Sequence, residues 1–346
     1  MNAEAPRMTA FGALLGAIRR VNGSPTILAC VFVVTLLTAL PFSVALRESL
    51  RAHLGHSLAA DEALSGVNYQ WWSEYSAAQS EGSLTRTFGA SVIGFATVLD
   101  NVSTLVDAED RPTAVLSLGF AYLLLWLFLD GGILDRYARG RPTRAHEFFA
   151  ACGIYFSRFL RLAPIIAAAY YLMFRYVHSW LFDDLYDSIT HEVTVERTAF
   201  FWRVGLYMVF GLMLIALNVI FDYAKARAVI EDRRSMLGAV AAGVRFVRRN
   251  IGVVVALYAM DAALFVGVIA LYAIVAPGAG GGGALMWLGF AVGQLYLLAR
   301  LWVRLVFLGS SVSLFQGRLA HVGYVAGAPV PLPEPPIVEH ILSLEP

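Results

Sequence analysis

Asp261, Arg300 and Arg304 stand inside long apolar stretches of this sequence, Asp261 within 251–276 and the arginines within 284–308. A charge surrounded by hydrocarbon is costly, and such groups pair with one another or line a path for an ion or solute. Arg300 and Arg304 are four residues apart, so on a helix they share a face with Tyr296. Asp261 lies about 16 Å along a helix from Asn250, and the arginines about 10–16 Å in from Ser311, at a rise of roughly 1.5 Å per residue. Asp261 is therefore expected to meet one of these arginines at a single level. Asp130 and Asn218, near the ends of their own apolar stretches, can extend the polar cluster. Two chemistries follow. One is a structural clasp between the last two helices. The other is a site for an ion, an anionic headgroup or a small solute.

Other reactive patterns are weak. His146-Glu147 and His191-Glu192 lack the second histidine that a zinc-protease helix carries one turn later. His53 and His56, followed by Asp61 and Glu62, have partial metal-ligand spacing, but a surface histidine pair is the simpler expectation. Pro277-Gly-Ala-Gly-Gly-Gly-Gly283 is followed by no Gly-Lys-Ser/Thr and is not a phosphate loop. No Gly-x-Ser-x-Gly elbow occurs. The expectation is no catalytic residue, no metal and no cofactor, hence no enzyme. A net charge of +1 gives no footprint for nucleic acid. Cys30 and Cys152 sit in no metal or redox motif and are expected as free thiols.

The elements that must hold these residues follow from composition. Of the 346 residues, 58% are hydrophobic and only 15% charged, with a mean hydropathy of +0.65. That is more apolar side chain than one soluble core hides, so a lipid bilayer is the expected solvent. Six stretches (26–46, 113–134, 162–182, 200–221, 251–276 and 284–308) are long enough to cross roughly 30 Å of hydrocarbon. In lipid the backbone must bond to itself, so each must be helical. No signal-peptide pattern precedes the first stretch, which is expected to act as an uncleaved anchor. The fold class expected is all-α, a polytopic bundle of six transmembrane helices.

Arg and Lys in the connections give the orientation. Fifteen lie on one side: Arg7, Arg19 and Arg20; four between Arg136 and Arg144; seven between Lys225 and Arg249; and Arg318. Five lie on the other: Arg47, Arg51, Arg86, Arg111 and Arg197. Both termini are therefore expected in the cytoplasm of a bacterial cell, with the chain multi-pass in the inner membrane. Arg47 and Arg51, just past the first stretch, run against the trend.

Three approaches to outward-going helices resemble one another. Phe11-Gly-Ala-Leu-Leu-Gly16 leads to Arg19, Arg20 and Pro25; Phe149-Ala-Ala-Cys-Gly153 leads to Arg158, Arg161 and Pro164; Leu237-Gly-Ala-Val-Ala-Ala-Gly243 leads to Arg245, Arg248 and Arg249. Each reads as a short amphipathic helix on the inner interface, apolar face in the acyl chains and arginines among headgroups. Leu134-Asp-Arg-Tyr-Ala-Arg139 likewise echoes Phe221-Asp-Tyr-Ala-Lys-Ala-Arg227 at the ends of inward-going helices. A three-fold hairpin repeat in parallel orientation is expected. With Asp135, Asp222 and Glu231-Asp-Arg-Arg234, these segments carry a resemblance to bacterial six-span membrane proteins of unassigned function related to the membrane domain attached to some glycerophosphodiesterases. The resemblance implies a six-span fold. No phosphodiesterase domain accompanies it in this sequence, so it does not imply that activity.

Residues 1–327 read as one membrane domain, with an outer helical cap at about 47–112. In the cap, Leu46, Leu50 and Leu54 share a helical face. Phe88, Val92, Phe95, Leu99, Val102 and Val106 keep helical spacing, and Tyr69, Trp71, Trp72 and Tyr75 form an interfacial aromatic cluster. Residues 328–346 form a Pro-rich cytoplasmic tail. A protein partner could bind through the cap or this tail. The leading expectation is a non-enzymatic membrane protein, scaffolding or lipid-interacting; the alternative is a transporter or permease using the intramembrane charges.

Overall fold

A computed structural model describes residues 8–55, 59–62, 68–78, 103, 107, 113–276 and 283–318. These form helices and no strand: α1 (Ala10–Asn22), α2 (Pro25–Leu54), α3 (Ala59–Glu62), α4 (Tyr69–Ala78), α5 (Thr113–Arg139), α6 (Ala145–Thr190), α7 (Glu196–Ile230), α8 (Met236–Arg249), α9 (Ile251–Val275) and α10 (Ala284–Arg318). Six of them, α2, α5, α6, α7, α9 and α10, are long and apolar enough to cross a membrane. They contain the six stretches expected from sequence, except that α9 ends at Val275, one residue short of the expected bound. The expected helix from Phe88 to Val106 (apart from Ser103), the glycine turn at 277–282 and the Pro-rich tail lie outside the described residues.

Local chemistry sets the helix ends. Thr9 caps α1 by accepting from the Gly12 amide at 3.1 Å, and Ser235 caps α8 by accepting from the Gly238 amide at 3.3 Å; such caps satisfy amides that a first turn leaves open. Pro25 opens α2 at a position where no intrahelical amide is needed. Gly140, with φ +65°, ends α5 in the left-handed conformation that costs glycine little. Asp232, at φ 50°, does the same after α7. There the Arg233 amide reaches back to the Ala228 carbonyl at 3.0 Å.

The core gathers at the arginine-rich end of the bundle. The most hydrophobic stretch of α10 is 61% buried inside the protein, against 11% for α2, so α10 is the axis and α2 stands mostly free of it. α1 runs antiparallel along the last half of α10. Trp302 donates to Asn22 at 2.9 Å at one end, and Arg318 donates to the Met8 carbonyl at 2.9 Å at the other.

Three close contacts recur at this end, each between an amphipathic helix and a long span. A Cβ on Gly309 of α10 would stand 3.2 Å from the Cβ of Ala17 on α1. One on Gly132 of α5 would stand 2.5 Å from the Cys152 sulfur of α6, and one on Gly243 of α8 3.0 Å from the Ile220 carbonyl of α7. The sequence expectation turned these amphipathic faces toward acyl chains. Instead their small residues, such as Ala13, Ala17, Ala239 and Ala242, are buried against protein. Alanine and glycine offer lipid little apolar area but let two backbones approach closely. Phe11, Phe149 and Leu237 remain exposed beside them.

The breaks between approach and span differ. The chain interrupts its helix at Gly23–Ser24 and at Asn250, whereas α6 passes through Pro164 without a break.

Candidate functional site

The strongest polar constellation joins α5, α7 and α9. Asp222 and Lys225 are three apart on α7, which puts them on one face. Lys225 Nζ lies 3.1 Å from Asp130 Oδ2 and 3.3 Å from Asp222 Oδ1. The Tyr258 hydroxyl of α9 donates to Asp222 Oδ2 at 3.1 Å. Lys225 is the only lysine in the chain. A compact ammonium with three donors can serve two carboxylates at once, where a planar guanidinium would need more room.

Beside this network, Arg304 on α10 stacks its guanidinium 3.4 Å from the Trp126 ring centroid, with Tyr122 at 5.9 Å. Asp130 and Asp222 are near enough to act on it electrostatically. The guanidinium of Arg300 sits over Tyr296 at 5.5 Å. Neither arginine has a carboxylate within ion-pair distance among the described residues. Both line a groove of about 370 Å³ with Tyr122, Phe265, Leu297 and Phe307. Its walls are apolar and aromatic, and the two cations are its charged groups.

The five residues expected to form one polar cluster thus divide. Asp130 joins Lys225, and Arg300 and Arg304 share the groove. Asn218 stands beside Tyr170. Asp261 is fully buried and accepts from Ser310 at 3.1 Å, while its second carboxylate oxygen has no partner among the described residues. It makes no ion pair with Arg300 or Arg304. Sequence reasoning missed Asp222, Lys225 and Tyr258 as a group; the signal was the i, i+3 spacing of a carboxylate and the sole lysine at the end of an apolar stretch.

The aromatic cluster has one member out of place. Trp71 stacks on Tyr75 at 5.1 Å, Trp72 packs against both, and His53 of α2 meets Trp71 and Tyr75 edge-on. The Tyr75 and Ser49 hydroxyls lie 2.6 Å apart. Tyr69 instead points outward. His53 is thus part of a packed aromatic corner joining α4 to the end of α2; His56 lies outside the described residues. At the same end of the bundle, Arg203 donates to the Tyr207 hydroxyl at 2.9 Å, and Tyr207 donates to Asp107.

Among the described residues no group of three or more His, Cys, Asp and Glu gathers as a metal site, and Cys30 and Cys152 are free thiols. Compared with protein-family models, curated proteins and solved structures, the chain matches none of them.

Proposed function

We propose that this chain is a non-enzymatic, lipid-binding protein of the bacterial inner membrane, with both termini cytoplasmic, and that the Arg300–Arg304 groove takes an anionic lipid headgroup. The observation that carries this is the groove itself, two guanidinium groups on apolar and aromatic walls with no carboxylate at ion-pair distance among the described residues. The Asp130–Lys225–Asp222 trio has one net negative charge, which offsets Arg304 and leaves Arg300 uncompensated. A phosphate with acyl chains matches both parts: charge-assisted hydrogen bonds for the head, apolar surface for the tails.

A transporter is the weaker reading, because Asp261 is sealed and the other carboxylates of the cluster are paired. The scaffold side of the reading keeps the cap and the tail as surfaces for a protein partner. The three-copy organisation, and with it the resemblance to the six-span proteins, belongs to the same proposal. The matching Thr9/Gly12 and Ser235/Gly238 caps support it, as do the three close contacts between amphipathic helices and spans.

Native mass spectrometry of the detergent-solubilised chain with phosphatidylglycerol and phosphatidylcholine tests the lipid reading. Retention of the anionic lipid should exceed that of the zwitterionic one, and Arg300→Gln with Arg304→Gln should abolish the difference. Equal retention of both lipids by the wild type would sink it. A C-terminal tag reachable by protease from outside intact cells would overturn the orientation.

A further inference from the structure

A second cavity, of about 440 Å³, opens where the α1–α2 elbow faces the end of α5 and the start of α6. Its polar lining consists of Ser24, Thr26, Arg136 and Thr143; Pro25, Ile27, Phe148 and Phe149 are among its apolar walls. Ser24 is the N-cap of α2, yet its hydroxyl caps no amide. It is 5% exposed, and its oxygen has no hydrogen-bond partner among the described residues. A hydroxyl buried without a partner costs on the order of 1–3 kcal/mol, so an unfilled one lining a cavity points to a missing ligand. Pro25 has no amide hydrogen, and the Thr26 amide is an open donor of the first turn of a 30-residue helix, whose positive end attracts anions. Arg136 adds a guanidinium with no carboxylate at ion-pair distance among the described residues.

The other elbow shows what the arrangement lacks. Asn250 stands between α8 and α9 as Ser24 stands between α1 and α2. There the returning span supplies Arg318, which donates directly to Asn250 Oδ1 at 3.3 Å. At the first elbow the returning span supplies Arg136, but cap and arginine are not bonded and a cavity separates the elements. A group that accepts from both would complete the set.

We infer that the Ser24–Thr26–Arg136 cavity binds a phosphate ester, with the anion held by the two hydroxyls, the Thr26 amide and the guanidinium, and any acyl chain lying along Phe148 and Phe149. The site is separate from the Arg300–Arg304 groove and does not depend on it. Each of the four groups can donate to an oxyanion, and among the described residues no carboxylate lines the cavity to repel it.

Cys30 also lines this cavity, whereas Cys152 is fully buried, so alkylation of Cys30 reports occupancy in the wild-type chain. The full chain in neutral detergent is treated with a maleimide alone, with inorganic phosphate, or with mixed micelles containing phosphatidic acid. Slower Cys30 labelling with phosphatidic acid but not with inorganic phosphate supports a membrane lipid as the source. Slowing by both supports recognition of the phosphate itself. In either case Arg136→Gln and Ser24→Ala should each weaken the protection about tenfold, the effect of losing one charge-assisted bond. Arg300→Gln should leave it unchanged, which separates this site from the groove. If neither probe slows labelling of the wild type, or if protection survives intact in a folded Arg136→Gln chain, the inference fails. Should Arg136→Gln not fold, the wild-type labelling result still decides.

Discussion

Lys225 of α7 reaches across to Asp130 of α5, with Nζ 3.1 Å from Oδ2, and both side chains are nearly covered by protein. The same ammonium holds Asp222 at 3.3 Å, so one positive charge keeps two carboxylates tolerable away from water. Its removal strands both. Breaking a buried pair from one side costs about 3–5 kcal/mol, because the surviving charge has no compensation.

Lys225→Met should therefore lower the unfolding temperature in detergent sharply. Adding Asp130→Asn and Asp222→Asn to that background should restore much of the loss, since the charges that needed the ammonium are gone. Lys225→Arg should be intermediate, the planar fork fitting a three-way site poorly. A Lys225→Met chain as stable as the wild type would show that the network has no structural weight.

The α5–α6 contact predicts an asymmetry between two glycines of one helix. A Cβ at Gly132 would stand 2.9 Å from the Phe148 carbonyl oxygen as well as 2.5 Å from the Cys152 sulfur, while one at Gly119 would meet nothing within 4 Å. Gly132→Ala should destabilise by about 1–3 kcal/mol through overpacking. Gly119→Ala should be neutral or stabilise by up to about 1 kcal/mol, the ordinary helix preference of alanine over glycine. Thermal unfolding of the two variants side by side checks this, and equal effects would contradict the close approach.

The six spans were legible in the sequence because hydrocarbon leaves a backbone no other way to satisfy itself. The amphipathic approaches were legible too, from Phe11, Phe149 and Leu237 set against alanines and glycines. Their partners were not, because a small-residue face suits a neighbouring helix as well as an interface, and periodicity does not distinguish them. The error over Asp261 has a definite origin. Tyr272 of α9 stacks on Tyr296 of α10 at 4.0 Å. Asp261 lies eleven residues before Tyr272, so in an antiparallel pair it comes level with residues near Phe307, beside Ser310 rather than Arg300. The count inward from Ser311 took the span to end there, whereas α10 continues to Arg318. Lys225 escaped notice for another reason: its two carboxylates sit on different helices, and only one of them is a sequence neighbour.

This register gives a prediction for Asp261. Its partner is a neutral hydroxyl, and among the described residues no cation pairs with it. Asp261→Asn should leave the unfolding temperature unchanged or raise it, since an amide of the same shape is cheaper to bury than a carboxylate. The charge reversal Asp261→Arg should be severely destabilising, and Arg300→Asp or Arg304→Asp should give no rescue. Rescue by either reversal would restore the clasp between the last two spans.

The turn between α7 and α8 offers a test that depends on backbone conformation as much as on charge. Asp232 sits at φ 50° and accepts from Arg158 of α6 at 2.5 Å, with its own side chain 60% exposed. An ion pair with one exposed partner contributes at most about 1 kcal/mol. The left-handed backbone matters at least as much, since a residue with a Cβ costs about 1–2 kcal/mol more there than glycine does. Asp232→Gly loses the pair but relieves the backbone; Asp232→Ala loses the pair and keeps the strain. The expected order of stability places Asp232→Gly above Asp232→Ala by about 1–2 kcal/mol, with Arg158→Gln costing no more than the pair itself. If alanine equals or exceeds glycine at this position, the turn does not require the left-handed conformation, and the Arg158 contact alone must fix how α8 leaves α7.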